Sequence, residues 1–228
     1  MYSHSSYGHR AVSSFLCTYL ASHGYVVAAV DHTGNTRDEW VPRATPPTAE
    51  EREALLARII GDRVPDIRHL IDHALRAYPV DRELVGLVGW SFGGWAVLAT
   101  PEEDERVSSV VALAPGGARD PLAGIIPSRL TFDWLREVST LFIAAEHDRF
   151  IPVDRVRDVF DRAPAPKRWF VLRDADHGYF SDTVERDGPP PPFAAHEFVR
   201  TLTLAHFDAT LRGDEAADAL LSARDSGA

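Results

Sequence analysis

The stretch "LVGLVGWSFGGWAVLAT", residues 84–100, decides the fold class of this chain. An apolar, strand-like run passes into a helix-like run with almost no loop, whereas most such connections use several residues. The joint has Ser91 at its centre and a glycine two positions to either side. A turn this sharp leaves no room for neighbouring Cβ atoms, so glycines are expected there. It also presents the serine hydroxyl beside the free N–H groups of a helix start, which is typical of a nucleophile.

A glycine-rich phosphate-binding turn is the alternative interpretation of this stretch. Phosphate loops of the common type end in Lys-Ser or Lys-Thr. Here Gly94 is followed by Trp95 instead. The sequence therefore favours Ser91 as the nucleophile of a hydrolase.

The rest of the chain alternates strand-like and helix-like segments. Short apolar runs rich in Val, Ile, Leu or Phe predict buried strands at Tyr25–Val30, Leu84–Gly89, Val107–Ala114, Thr140–Ala145 and Arg168–Leu172. Helices are predicted over about 10–22, 50–78 with an interruption at Pro65, 92–100, 153–162 and 193–212. This alternation predicts the α/β class, with a mostly parallel sheet covered by helices on both faces. We expect one domain over residues 1–228, with a flexible tail from about Gly213.

Composition excludes several classes of function. The net charge of −10 argues against nucleic acid or an anionic membrane as the main partner. The single cysteine, Cys17, rules out an internal disulfide and is expected to be buried filler. Neither a metal-binding motif nor a dinucleotide fingerprint is present, so we expect no metal and no cofactor. No apolar run has the length of a membrane span, and the start "MYSHSSYGHR" lacks the features of a signal peptide, which predicts a cytoplasmic location.

A nucleophilic serine needs a base, and the base needs a carboxylate that holds it in the right tautomer. With the nucleophile at a strand-to-helix turn, the acid and then the histidine should follow later strands. The fourth predicted strand is followed by Asp148, and the fifth by His177. The sequence therefore predicts the triad Ser91, Asp148 and His177.

Other residues compete for these roles. Glu146 and Asp154 are the alternative acids, at the end of a strand and the start of a helix. Among the other histidines, His147 neighbours the predicted acid, but its position along the chain fits the base less well than that of His177. His32 could line the site, although it is better explained as a residue that fixes a loop.

The segments "YSHSSYGHR" (residues 2–10), "LASHGYVVAAVDHTGNT" (Leu20–Thr36) and "GWSFGGW" (residues 89–95) resemble the α/β-hydrolases. The similarity is to dienelactone-hydrolase-like serine esterases, particularly the platelet-activating-factor acetylhydrolase branch and the cutinase-like polyester hydrolases. It runs from Tyr2 to about Phe180 and implies the same triad. Family members begin with three strands before the loop that holds the oxyanion. Because this chain starts at Met1, we expect it to lack the N-terminal strands of that sheet.

An oxyanion hole needs two preorganised N–H donors. The first should be the backbone N–H of Phe92, the residue after the nucleophile. The resemblance implies that the second donor lies in residues 4–8, and we assign it to Ser6. Ser5 stands in this loop where the family commonly has glycine. A simple turn leading into the first helix is the alternative interpretation of this loop.

The connection between the third and fourth predicted strands is too short for a large helical cap, so an open, shallow site is expected. Aromatic side chains could line an acyl pocket, with Trp90 the strongest candidate; the others are Trp134, Phe150, Tyr179 and Phe180. The sequence thus predicts a cofactor-independent serine hydrolase of small carboxylic esters or lactones. A serine peptidase or thioesterase would use the same machinery. A non-catalytic binding protein, or an inactive fragment, is the alternative from a different class.

Overall fold

A computed structural model describes residues 1–39, 48–182 and 192–223 of the chain. The strands are β1 (Tyr2–Ser3), β2 (Val85–Trp90), β3 (Val107–Leu113), β4 (Ser139–Ala145) and β5 (Lys167–Leu172). The α-helices are α1 (Ser14–Ser22), α2 (Ala49–Ala77), α3 (Phe92–Ala99), α4 (Val153–Arg162), α5 (Phe193–Arg212) and α6 (Glu215–Ser222). Short 3₁₀ helices cover Thr100–Glu102 and His177–Phe180.

The strands form one sheet in the order β1-β2-β3-β4-β5, and every adjacent pair is parallel. Parallel neighbours place their carboxyl ends at the same edge, so the segments after β2, β4 and β5 meet there. This is the edge that carries Ser91, Asp148 and His177. The predicted α/β class is confirmed, and β2 to β5 agree with the predicted strands to within one residue at each end.

Alternating residues of the strands divide the core into two layers. Leu87, Val110 and Phe142 pack on one face against α2, α3 and α4. Val88, Val111 and Leu141 pack on the other face against α1, α5 and α6. Each strand is therefore covered on both sides, which explains why its sequence reads as a continuous apolar run.

Three features differ from the sequence-based expectation. Residues 25–30 do not form a regular strand, and within them only Ala29 forms a bridge, to Tyr2. The neighbouring strand β1 has only two residues with which they could pair. Pro65 does not interrupt α2, whose apolar stripe packs on the core on both sides of it. The segment after Gly213, expected to be flexible, contains α6, and its Leu221 is fully buried.

No helix in the described ranges is both long enough and apolar enough to cross a membrane.

The buried histidine His206, on α5, predicts a pH-dependent stability. Its Nε2–H donates to the carbonyl of Ser139 at 3.2 Å, and burial lowers the pKa of its imidazole to about 3. Burial also lowers the pKa of His4 to about 3. Between these values and the ordinary histidine pKa, the unfolded chain binds more protons than the folded one. The free energy of unfolding should therefore fall as the pH is lowered from about 6.5 towards 3, by up to about 1.4 kcal/mol per pH unit for each histidine.

Urea unfolding between pH 5 and 6.5 measures this slope. The variant His206→Gln should have a slope smaller by the contribution of about one proton. Equal slopes in the two proteins would contradict the assignment of a neutral, buried His206.

Candidate active site

Ser91 occupies a strained backbone conformation at the turn between β2 and α3, with φ 60° and ψ −117°. Three hydrogen bonds hold it there: its N–H donates to Leu113 O at 2.8 Å, and its carbonyl accepts from Trp95 N–H at 3.1 Å and Gly116 N–H at 3.0 Å. A strained conformation persists only when its surroundings fix it in this way, and such strain is concentrated at functional sites.

The flanking glycines are explained by close backbone approaches. A Cβ on Gly89 would lie 2.2 Å from the carbonyl oxygen of Gly93, across the turn. A Cβ on Gly93 would lie 2.1 Å from the carbonyl oxygen of Ser3, in β1. The sequence pattern therefore reflects the packing of three backbone segments around Ser91.

Asp148 and His177 form a buried pair at the same edge of the sheet. His177 Nδ1 lies 2.6 Å from Asp148 Oδ2, and the side chain of Asp148 is fully buried. The other oxygen of Asp148 accepts N–H bonds from Phe150 at 2.9 Å and Ile151 at 2.8 Å. A carboxylate only accepts hydrogen bonds, so the proton of the neutral imidazole is on Nδ1, and Nε2 keeps its lone pair free to act as a base.

The alternative residues are engaged elsewhere. Glu146 accepts hydrogen bonds from the Arg173 side chain at 3.0 Å and the Asp174 N–H at 3.1 Å, and these bonds lower the pKa of its carboxyl. The side chain of Asp154 is 70% exposed. His147 is largely exposed, whereas His32 is buried and bonded to Asp66 and Ser3. Among these candidates, Asp148 is the carboxylate that contacts His177.

A cavity of about 1090 Å³ opens at this edge. Ser91 and His177 both line it, as do Phe92 and Ser6, the two residues assigned to the oxyanion hole. Phe92 begins α3, so its N–H has no acceptor within the helix. Ser6 lies two residues after His4. The carbonyl oxygens of Ser3 and His4 lie against Gly93 in α3, which brings this segment next to the start of that helix.

Two of the expected pocket aromatics line the cavity, and three do not. Trp90 and Phe150 line it, and their ring centroids lie 5.2 and 5.4 Å from that of the His177 imidazole. Trp134 packs against the core and donates its indole N–H to Leu98 O at 3.0 Å. Tyr179 and Phe180 belong to the core layer on the α5 side. Trp134, Tyr179 and Phe180 therefore do not line this cavity.

Most of the apolar wall of the cavity was not predicted from the sequence. Leu55 and Leu56 come from α2, and Ile125 and Ile126 from the connection between β3 and β4. These residues are far from Ser91 along the chain and have no sequence signature. Sequence analysis also missed Arg63, which is buried next to residues 3–5. The feature that could have indicated this burial is the position of Arg63 in the apolar stripe of a helix, where a charged residue is unusual.

A sequence model of the Dienelactone hydrolase family matches residues 3–206. The chain belongs to the dienelactone hydrolase family. This confirms the resemblance and makes the protein a hydrolase of the ester and lactone type. The sharp turn at Ser91 thus belongs to a dienelactone hydrolase family member.

The chain is also similar to a curated protein and to a solved structure. The platelet-activating factor acetylhydrolase of Cavia porcellus is 27% identical over 149 residues, which cover 50% of this chain and 34% of that protein. The chain thus matches about a third of the length of this curated relative. A crystal structure of a provisionally assigned dienelactone hydrolase from Klebsiella pneumoniae subsp. pneumoniae superposes with a TM-score of 0.66 at 17% identity, covering 90% of this chain and 84% of that one. At that identity the superposition supports the fold alone.

Proposed function

We propose that this protein hydrolyses carboxylic esters through an acyl-enzyme intermediate on Ser91. The observation that carries the proposal is the buried Asp148–His177 pair, at the sheet edge where the strained Ser91 borders the same cavity. Membership of the dienelactone hydrolase family supports an ester or lactone as the substrate.

The proposed reaction begins with attack of Ser91 Oγ on the ester carbonyl. His177 Nε2 takes the hydroxyl proton, and Asp148 stabilises the imidazolium that forms. The N–H groups of Phe92 and Ser6 hold the negative charge on the former carbonyl oxygen. Collapse of this tetrahedral species expels the alcohol, which receives the proton from His177. Water then attacks the acyl group by the same route and releases the acid.

The cavity wall supports an acyl ester with an apolar group. Leu55, Leu56, Ile125 and Ile126 line the cavity that Ser91 also borders, and the Phe150 ring lies 5.4 Å from the His177 ring. Transfer of an acyl chain from water to these apolar side chains is favourable, by about 0.8 kcal/mol for each buried methylene group. The relative named an acetylhydrolase also supports an acyl ester as substrate.

A series of p-nitrophenyl esters of increasing acyl length tests the proposal, with an acetyl thioester and a peptide p-nitroanilide assayed beside it. We expect hydrolysis of the esters to exceed that of the thioester and the anilide. A fluorophosphonate should label one serine stoichiometrically, and peptide mass spectrometry should place the label on Ser91. A folded protein that neither hydrolyses an ester nor accepts the label would overturn the proposal and indicate a non-catalytic role.

A further inference from the structure

Arg63, on α2, is fully buried although it carries a charge. It lies in the apolar stripe of the helix together with Ile59, Ile67 and Ile71. None of the ion pairs among the described residues involves Arg63. Burial of an unpaired guanidinium is costly, so the groups that accept its hydrogen bonds are under strong constraint.

The guanidinium contacts the backbone of the segment that leads to Ser6 and the side chain of Phe92, so it lies next to both proposed oxyanion donors. Nη1 donates to the carbonyl oxygen of His4 at 2.5 Å, and Nη2 donates to that of Ser5 at 3.3 Å. Nη2 also donates to Oδ1 of Asn35. The central carbon lies 4.5 Å from the centre of the Phe92 ring, at the start of α3.

The carbonyl of Ser5 belongs to the same peptide group as the N–H of Ser6. Besides Arg63, this carbonyl oxygen accepts from His4 Nδ1 at 2.7 Å and from Gly8 N–H at 3.1 Å. In a planar trans peptide, the C=O and N–H bonds point in opposite directions. The three donors fix the carbonyl oxygen of Ser5 towards Arg63, so the N–H of Ser6 points away from Arg63. Ser6 also lines the cavity.

The imidazole of His4 is suited to this part of the arrangement. Burial, assisted by the positive charge of Arg63, lowers the pKa of His4 to about 3, so its ring is neutral at ordinary pH. His4 Nε2 accepts the N–H of His32 at 3.1 Å, which leaves the proton on Nδ1 for the carbonyl of Ser5. His4 is thus fixed in a single tautomer as a donor.

We propose that Arg63 is a positioning residue, which orients and polarises the Ser5–Ser6 peptide group so that the N–H of Ser6 stabilises the oxyanion. A cation at the oxygen end of a peptide group draws electron density towards that oxygen and makes the N–H a stronger donor. This inference rests on the proposed function. The benefit arises when negative charge develops on the substrate, so it should affect kcat much more than KM.

The variant Arg63→Met keeps much of the side-chain length and removes the charge and the donors. Arg68→Met is the matched control, since Arg68 is on the same helix but pairs with Glu103 at the surface, at 3.1 Å. With rates normalised to active sites by fluorophosphonate titration, we expect Arg63→Met to lower kcat by about 10- to 100-fold and to change KM by less than about twofold. A purely structural role would reduce the number of titratable sites and leave the rate per site unchanged. A wild-type rate per site in Arg63→Met would overturn the inference.

Arg63→Lys keeps the charge but lacks the planar fork, so an intermediate kcat is expected. It decides the question if Arg63→Met does not fold, because a folded Arg63→Lys variant with the wild-type kcat and KM would also overturn the inference. The ¹⁵N chemical shift of the Ser6 amide gives a readout that does not depend on catalysis. It should move in the Arg63 variants and stay constant in Arg68→Met. If the wild-type protein hydrolyses no ester, the proposed function fails, and an unchanged Ser6 shift in the Arg63 variants is the separate result that refutes the role of Arg63.

Discussion

Ser91→Ala is expected to lower kcat/KM for any ester that the wild-type protein hydrolyses by at least about 10⁴-fold. The variant loses the atom that would form the acyl-enzyme bond. The cavity and the Asp148–His177 pair would remain, so substrate binding should persist. Steady-state assays with a p-nitrophenyl ester measure the effect, and circular dichroism checks that the variant is folded.

Ser22→Ala is the matched control for this experiment. Ser22 is exposed at the end of α1, where its hydroxyl bonds to the carbonyl of Tyr19. The same chemical change at this position should leave kcat/KM within about twofold of the wild-type value, because Ser22 does not line the cavity and a surface substitution rarely alters stability by more than about 0.5 kcal/mol. A Ser91→Ala variant that retains more than a tenth of the wild-type activity would exclude Ser91 as the nucleophile.

Gly93→Ala should produce a large loss of stability. The added Cβ would meet the carbonyl oxygens of Ser3 and His4 at 2.1 and 2.6 Å, and both belong to backbone that cannot rotate away. Either α3 or the segment that leads to Ser6 must shift. We expect the free energy of unfolding to fall by more than about 3 kcal/mol, and the ester hydrolysis of any folded fraction to be lost. Urea unfolding and active-site titration measure the two effects.

The control for this substitution is Gly61→Ala. Gly61 lies inside α2, and a Cβ there would have no heavy atom within 4 Å apart from its chain neighbours and the backbone of its own helix. Alanine in an exposed helix interior is more favourable than glycine by about 0.5–1 kcal/mol, so this variant should be more stable than the wild type. A Gly93→Ala protein with wild-type stability and activity would show that the close approach at the elbow does not constrain the site.

The strands and the sharp turn at Ser91 were predictable because the residue patterns that indicate them are local in the sequence. Apolar runs mark β2 to β5, and the sharp transition at Ser91 requires glycine on both sides. The positions of Asp148 and His177 were also predictable, because the carboxyl ends of parallel strands meet at one edge. The segment 25–30 was predicted wrongly as a regular strand, since its apolar composition does not reveal which neighbour it pairs with.

By itself, the sequence determined the α/β class, the family, and the candidate residues Ser91, Asp148 and His177. These rest on signals that can be read along the chain: apolar runs, the glycines around Ser91, and polar residues that follow predicted strands. Only the tertiary structure decided which aromatic rings border the cavity, how Leu55 and Ile125 meet around it, and that Arg63 lies against residues 4 and 5. Those contacts join segments far apart in the chain, and their geometry is set by the packing of α2 against the sheet. No local pattern of residues encodes that geometry.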